Sequence, residues 1–223
     1  MSCAWPTNLW KGMRKFLYIS VLTILLAPAC TPESLRNLIT TQETRIETIV
    51  NAQRASDESY SVVVNEGTTR LIVVPGEGEE LTDDKLVSFY YAGYVLTGNS
   101  LPVASTLFAT NNQDVAQAAR WTLTTDEEDE DASGEDAEDD PSGDPAETEV
   151  SVPSIYEIYT VKLSEAGFVK GLYNGMVGVR GGEECWIFFS AVNGFGSKKT
   201  GTIPANSALA YHIWVHSVQS DEL

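Results

Sequence analysis

Basic residues are scarce in this chain: fourteen Lys and Arg stand against thirty-two Asp and Glu, giving a formal charge of −18. So acidic a chain is repelled by phosphodiester backbones, which excludes nucleic acid as a partner. Histidine is scarcer still, with only His212 and His216. Four residues apart on one strand, their Cβ atoms would lie about 13 Å from each other, too far to share a metal ion. Neither a metal site nor a Ser/His/Asp set can be assembled from them. The chain also lacks a phosphate loop, since Pro75-Gly76-Glu77-Gly78 has no Lys and no following helix and reads as a turn. No cofactor is implied. Of three cysteines, Cys3 and Cys30 lie at the N-terminus, which leaves Cys185 alone and without a disulfide partner in the body. Its alternating apolar position predicts a buried structural thiol rather than a nucleophile.

Long apolar runs are missing as well. The longest, Phe16–Ala27, falls short of the roughly 20 residues that a bilayer-spanning helix needs. Lys11, Arg14 and Lys15 precede it and Ala27-Pro28-Ala29-Cys30 follows, the layout of a secretory signal over residues 1–29, with Met13 as an alternative initiator. A Cys directly after small residues marks bacterial lipoproteins, although Ala27 stands where Leu is usual. The expectation is an exported protein of the bacterial cell envelope, lipid-anchored through Cys30 at the outer membrane or the periplasmic face. Ordinary cleavage after Ala29 with an incidental Cys is the alternative.

From Pro32 to about Ala55, Leu35, Leu38, Ile39, Ile46, Ile49 and Val50 recur at helical spacing, with Thr31 and Pro32 as a start signal. Residues 30–60 are therefore expected to hold the anchor and an amphipathic helix, which serves as a partner helix or packs on its own domain. Residues 61–223 form the body. Thr69–Val74, Lys85–Leu96, Glu157–Leu163, Glu184–Ser190 and Ala208–Val218 read as strands, and only Lys170–Met176 offers a helix between them. The expected class is α+β: an antiparallel sheet of about five strands wrapped on a short helix. Residues 126–149 contain fourteen acidic and no basic residues, a composition expected to stay disordered. A specific calcium loop is disfavoured there, because the alternating Asp/Asn spacing with its Gly and distant Glu is absent.

The stretch Phe168–Gly182, FVKGLYNGMVGVRGG, sits between two strands and is punctuated by Gly171, Gly175, Gly181 and Gly182. Together with Val87–Tyr94 upstream and with Ala191–Gly196, Ile203-Pro204 and Ala208–Val218 downstream, it resembles the FKBP-type peptidyl-prolyl isomerase family. The resemblance covers roughly residues 84–218, with one large interruption, as a divergent lipoprotein-like member. It implies a pocket for prolyl segments of polypeptides formed by Tyr91, Phe108, Tyr159, Phe168, Val169, Leu172, Phe195, Ile203 and Tyr211.

Prolyl isomerisation requires neither acid, base nor metal. Its barrier of about 18–20 kcal/mol comes from amide resonance, and a desolvated aromatic cup with a few donors lowers it by favouring the twisted amide. Three departures from the family pattern bear on this. Leu172 stands where the family has Trp, and Phe195 where a Tyr hydroxyl donates. In Leu107–Asn111, Ala109 stands where the family has Asp; an alternative alignment puts Leu101-Pro102 there, also without the acid. The resemblance thus implies either a binder of prolyl or apolar segments with weak or no activity, or an active isomerase and folding helper.

Strand alternation adds a third reading. With Phe89, Tyr91, Cys185, Ile187, Phe189, Tyr211, Ile213 and Val215 inward, Tyr90, Trp186, Phe188, His212, Trp214 and His216 face outward. So many aromatics on one face call for a cover, either the Leu35–Val50 helix or a second subunit in a homodimer, and the face could instead serve assembly.

Overall fold

The computed structural model describes residues 33–120 and 155–220. The leader, Cys30 and the acidic segment 126–149 lie outside the described residues. The chain divides into two units, Met1–Leu38 and Ile39–Leu223. Residues 33–38 of the first open helix α1 (Glu33–Ser56), and Leu35 and Leu38 there are exposed. Among the described residues no helix is long and apolar enough to cross a membrane.

The second unit is built on one antiparallel sheet. Its strands are β1 (Ser61–Asn65), β2 (Thr68–Val74), β3 (Lys85–Val95), β4 (Leu107–Thr110), β5 (Tyr159–Lys162), β6 (Glu184–Phe189) and β7 (Leu209–Ser220). They run in the order β1-β2-β6-β7-β3-β4, with β5 also paired to β3. Seven strands replace the expected five or so, because β1 and β4 are short; a second short helix, α2 (Gln113–Ala119), was likewise not expected. The β1–β2 connection is the two-residue turn Glu66-Gly67, both at positive φ, which matches the twist of a tight hairpin. Helix α3 (Lys170–Met176) falls where its sequence pattern put it.

The inner face buries Val87, Phe89, Cys185, Ile187, Phe189, Tyr211, Ile213 and Val215 against α3, with Tyr91 packed beside them. The alternation holds until β7 reaches Val215. There the register with β3 shifts, His216 is exposed, and Val218 turns inward. The Cys185 thiol is sealed, and burial raises its pKa well above the ordinary range, so it is inert.

Helix α3 lies on β6 backbone against ring. A Cβ on Gly171 would come within 2.2 Å of Phe189 Cγ, and one on Gly175 within 2.2 Å of Ile187 Cγ2. Only glycine permits that approach. The end of the helix is held by Arg70, whose guanidinium donates to the carbonyls of Gly175 and Val177 at 2.8 Å and of Gly178 at 3.1 Å. Its Nε lies 3.3 Å from Glu183 Oε1, a buried ion pair at contact distance but without hydrogen-bond alignment. Burial raises the Glu183 pKa, and the Arg70 charge opposes that rise only in part.

On the outer face, Trp186 and Phe188 are buried with Ile46, Ile49 and Val50 of α1, and Trp214 packs alongside. The cover expected of either a helix or a second subunit is thus supplied by α1 from Ile46 onward. Gln42 fixes the helix in place: its amide donates to Asn206 O at 2.7 Å and its carbonyl accepts from Ala191 N at 3.0 Å.

Candidate functional site

One side of β3 is shared by two short strands laid end to end. β4 pairs with Ala92–Tyr94 and β5 with Leu86–Phe89, which leaves a gap opposite Tyr90 and Tyr91. An unpaired stretch of buried backbone is costly, and here a side chain fills the gap. Asn111 is buried. Its Oδ1 accepts from Tyr91 N at 2.6 Å, and its Nδ2 donates to Glu157 O at 3.0 Å and to Phe89 O at 3.3 Å. Thr110 Oγ1 adds a bond to Tyr91 O at 2.7 Å. One amide therefore ties together the backbones of β3, the end of β4 and the approach to β5.

Directly behind this junction, between the inner sheet face and α3, lies a cavity of about 300 Å³ lined by Phe89, Tyr91, Ala109, Tyr159, Ala166, Phe168, Leu172 and Tyr211. Its volume sits at the lower end of small-molecule sites, suited to one side chain of a larger ligand. The rings hold one another in place. Phe89 meets the edges of Tyr159 at 5.5 Å and of Phe168 at 6.1 Å. Tyr211 stacks on Phe189 at 5.9 Å and takes Phe108 edge-on at 5.7 Å. Tyr159 is exposed at the rim, whereas Tyr211 is only 7% exposed.

The lining contains no carboxylate, amine or imidazole; its polar side-chain atoms are the hydroxyls of Tyr91, Tyr159 and Tyr211. Burial raises the pKa of Tyr91, with the neighbouring Tyr159 adding to the rise. Burial raises Tyr211 much further, to beyond the range in which proteins work, with Tyr91 adding to it. Both remain neutral O–H donors. No group of His, Cys, Asp and Glu suited to a metal ion occurs among the described residues.

Of the nine residues expected at the site, the cavity wall brings together Tyr91, Tyr159, Phe168, Leu172 and Tyr211. Phe108, Val169, Phe195 and Ile203 pack in the core around it without lining it. Phe108 faces Tyr211 rather than the cavity, and Val169 serves as the residue capping α3. Two lining residues were not expected: Phe89, read as plain core, and Ala166, which carries no signal in sequence. Ala109 lies in the cavity wall, whereas Leu101 packs in the cluster on the opposite side of the sheet. The role of Asn111 had no signal either, because its partners are backbone atoms far along the chain.

Residues 146–216 match the family model described as FKBP-type peptidyl-prolyl cis-trans isomerase. Over that segment the chain is similar to the FKBP-type peptidyl-prolyl isomerase family. No curated protein matches the chain. Three solved structures are similar at low identity. The three FKBP domains of wheat FKBP73 align at 14% identity with a TM-score of 0.46, covering 73% of this chain and 50% of that one. FkpA from Escherichia coli aligns at 12% and 0.46, covering 99% and 76%. A peptidyl-prolyl cis-trans isomerase from Pseudomonas syringae aligns at 12% and 0.48, covering 82% and 95%. The chain spans about half the length of the wheat protein it matches. The cavity lies on the inner sheet face over α3, and the matched segment supplies its Tyr159, Ala166, Phe168, Leu172 and Tyr211.

Proposed function

We propose that this FKBP-type domain binds Xaa-Pro or apolar segments of other polypeptides in the aromatic cavity and turns them over slowly or not at all. The observation that carries the reading is the lining itself. Aromatic rings desolvate a proline ring, and the neutral hydroxyls fix a carbonyl, which suffices for binding. Rate enhancement needs groups that stabilise the twisted amide more than the planar one. Ala109 contributes no polar group to the wall, Leu172 offers less contact than a fused ring, and Phe195 lies outside the lining. The second reading, an active isomerase and folding helper, is favoured by the family match.

The leader sequence supports export and anchoring through a lipid on Cys30, which would hold the domain near the membrane of a bacterial envelope, where unfolded exported chains are the available clients. Titrating the purified protein with Xaa-Pro tetrapeptides, followed by chemical-shift changes at Tyr91 and Tyr211, tests binding. A protease-coupled isomerisation assay on the same peptides tests turnover. Saturable shifts with little acceleration support the binder, strong acceleration abolished by Tyr91→Ala supports the isomerase, and no shift with any peptide overturns both. Mass spectrometry of the membrane-extracted protein tests the anchor: an acylated N-terminal Cys30 supports it, and an unmodified one refutes it.

A further inference from the structure

Within the second unit, the buried stripe of α1 contains one polar residue. Gln42 is 4% exposed and shares the stripe with Ile46, Ile49 and Val50, where an apolar side chain would serve as cover without burying an amide. That amide grips the neck of a loop. Residues 191–206 leave β6 and return towards β7, and Gln42 bonds to both ends: Oε1 accepts from Ala191 N at 3.0 Å and Nε2 donates to Asn206 O at 2.7 Å. The same two residues are joined from inside the loop by the backbone of Gly196. Its N–H donates to Ala191 O at 3.0 Å, and its carbonyl accepts from Asn206 N at 2.7 Å. The neck is thus closed twice, once by the loop itself and once by a side chain from α1. The loop leads to the cavity. It carries Phe195 and Ile203, which pack in one apolar cluster with the cavity residues Leu172 and Tyr211. Its backbone rests on β6: a Cβ on Gly194 would stand 3.4 Å from Phe189 Cε2, and the Phe189 ring stacks on Tyr211.

We propose that Gln42 is a positioning residue for the aromatic cavity: by holding the neck of the 191–206 loop, a docked α1 sets the affinity of the cavity for the segment it binds. The inference rests on the binding reading above and adds regulation to it. With α1 displaced, Ala191 N and Asn206 O lose their side-chain partners, and backbone groups in that position require water or a rearranged neck in exchange. Either change lets Phe195 and Ile203 shift within the cluster that backs Leu172 and Tyr211. A close-packed interior transmits such a shift rather than absorbing it. The link runs both ways by thermodynamic necessity. A segment that binds better to the closed loop also favours docked α1, and anything that draws α1 off the sheet weakens the cavity.

The test titrates wild type, Gln42→Leu and Gln42→Glu with an Xaa-Pro tetrapeptide at about pH 8 and about pH 5, with thermal melts of each protein alongside. Gln42→Leu keeps the apolar cover and removes both bonds. Its affinity is expected to fall about three- to tenfold at both pH values, the weight of one net hydrogen bond. Gln42→Glu has nearly the shape of the native residue. As a carboxylate it still accepts from Ala191 N but sets a negative charge against Asn206 O; protonated, it donates to Asn206 O again. Burial raises the pKa of such a carboxyl, so this variant is expected to bind as weakly as Gln42→Leu at the higher pH and to return to within about twofold of wild type at the lower. Wild type at the same pH is the reference, which cancels titrations common to all three proteins. In wild type, saturating peptide is expected to slow amide exchange at Ile46 and Ile49 of α1, the reciprocal effect. Folded variants that bind the peptide like wild type overturn the inference and leave the binding reading standing, with Gln42 serving α1 alone. A Gln42→Glu variant whose affinity relative to wild type does not recover at the lower pH overturns it as well. Wild-type exchange at Ile46 and Ile49 that peptide leaves unchanged refutes the coupling even if neither variant folds. Failure of wild type to bind any Xaa-Pro peptide overturns the binding reading, and unchanged amide exchange at Gly194 and Gly196 in Gln42→Leu then overturns the dependence of the loop on Gln42.

Discussion

Replacing Gly171 with Ala sets two opposing effects of known size against each other. In an isolated helix the change is stabilising by about 1 kcal/mol, because alanine restricts the unfolded backbone. In this domain the new Cβ would stand 2.2 Å from Phe189 Cγ and 2.5 Å from Cδ1 and Cδ2. Carbon atoms rest at roughly 3.5–4.0 Å, so ring or helix must retreat by more than about 1 Å. Neither can do so freely. Phe189 is fully buried and stacked on Tyr211, and α3 is tethered at its end by Arg70. Overpacking costs about 1–3 kcal/mol, and an approach of 2.2 Å to a pinned ring belongs in the upper part of that range, about 2–3 kcal/mol, so it outweighs the propensity gain and leaves a net loss of about 1–2 kcal/mol. For an ordered region of this size that is a fall of about 2–8 °C in Tm. Because the displaced ring backs Tyr211, peptide affinity should fall with it. Thermal melts and peptide titrations of Gly171→Ala against wild type measure both. A variant with unchanged or raised Tm would refute the close-packing account of this glycine.

Three further outcomes follow from the geometry. Asn111→Ala removes the side chain that serves Tyr91 N, Phe89 O and Glu157 O, and denaturant unfolding is expected to show a loss of about 2–3 kcal/mol together with weakened peptide binding; a loss under 0.5 kcal/mol would mean that water replaces the amide at no cost. Arg70→Met leaves Glu183 buried without its ion partner and three carbonyls uncapped, and should cost about 3–5 kcal/mol, whereas the double variant Arg70→Met/Glu183→Gln should recover part of that in a double-mutant cycle. His212, which stacks on Trp186 at 4.2 Å and bonds to Glu184 at 2.8 Å, has its pKa lowered by burial, with Glu184 opposing. A lowered folded value means that its contribution is complete above the unfolded pKa of about 6.5 and erodes as pH falls towards the folded value, by at most about 1.4 kcal/mol per pH unit; His212→Phe should abolish that slope in melts between pH 7 and 5, and an unchanged slope would place the titration elsewhere.

The parts legible in the sequence were those governed by period. Alternation on β6 and β7 separated Cys185, Ile187 and Phe189 from Trp186 and Phe188, and the apolar spacing of Ile46, Ile49 and Val50 marked the face of α1 that covers the latter pair. Glycine spacing located α3 to the residue, because a helix that touches a sheet through Gly171 and Gly175 carries the contact in its own composition. Short strands were lost. Val62-Val63-Val64 before Glu66-Gly67 was a usable hairpin signal, whereas Leu107–Thr110 is a strand only because β3 is there to pair with it. The site was half legible for the same reason. Residues on long strands and α3 fell where alternation and motif put them, but whether Phe195 or Ile203 faces the cavity or the core depends on how one irregular loop folds back, and no periodicity governs a loop.

The broken edge beside β3 has a bearing on how this domain could acquire and tolerate added sequence. Where a continuous strand would have to be cut to admit new residues, the ladder here already ends at Thr110 and resumes at Tyr159, with Asn111 sealing the seam. Growth of the intervening segment therefore severs none of the strand pairings among the described residues, and its entropic penalty rises only logarithmically, by about 0.6 kcal/mol per doubling of length. The seam behaves as a cloning site: its two margins are locked by one amide, and the length of chain spliced between them is nearly free to drift, to lengthen, or to be exchanged by an engineer for a reporter whose signal would originate beside the cavity.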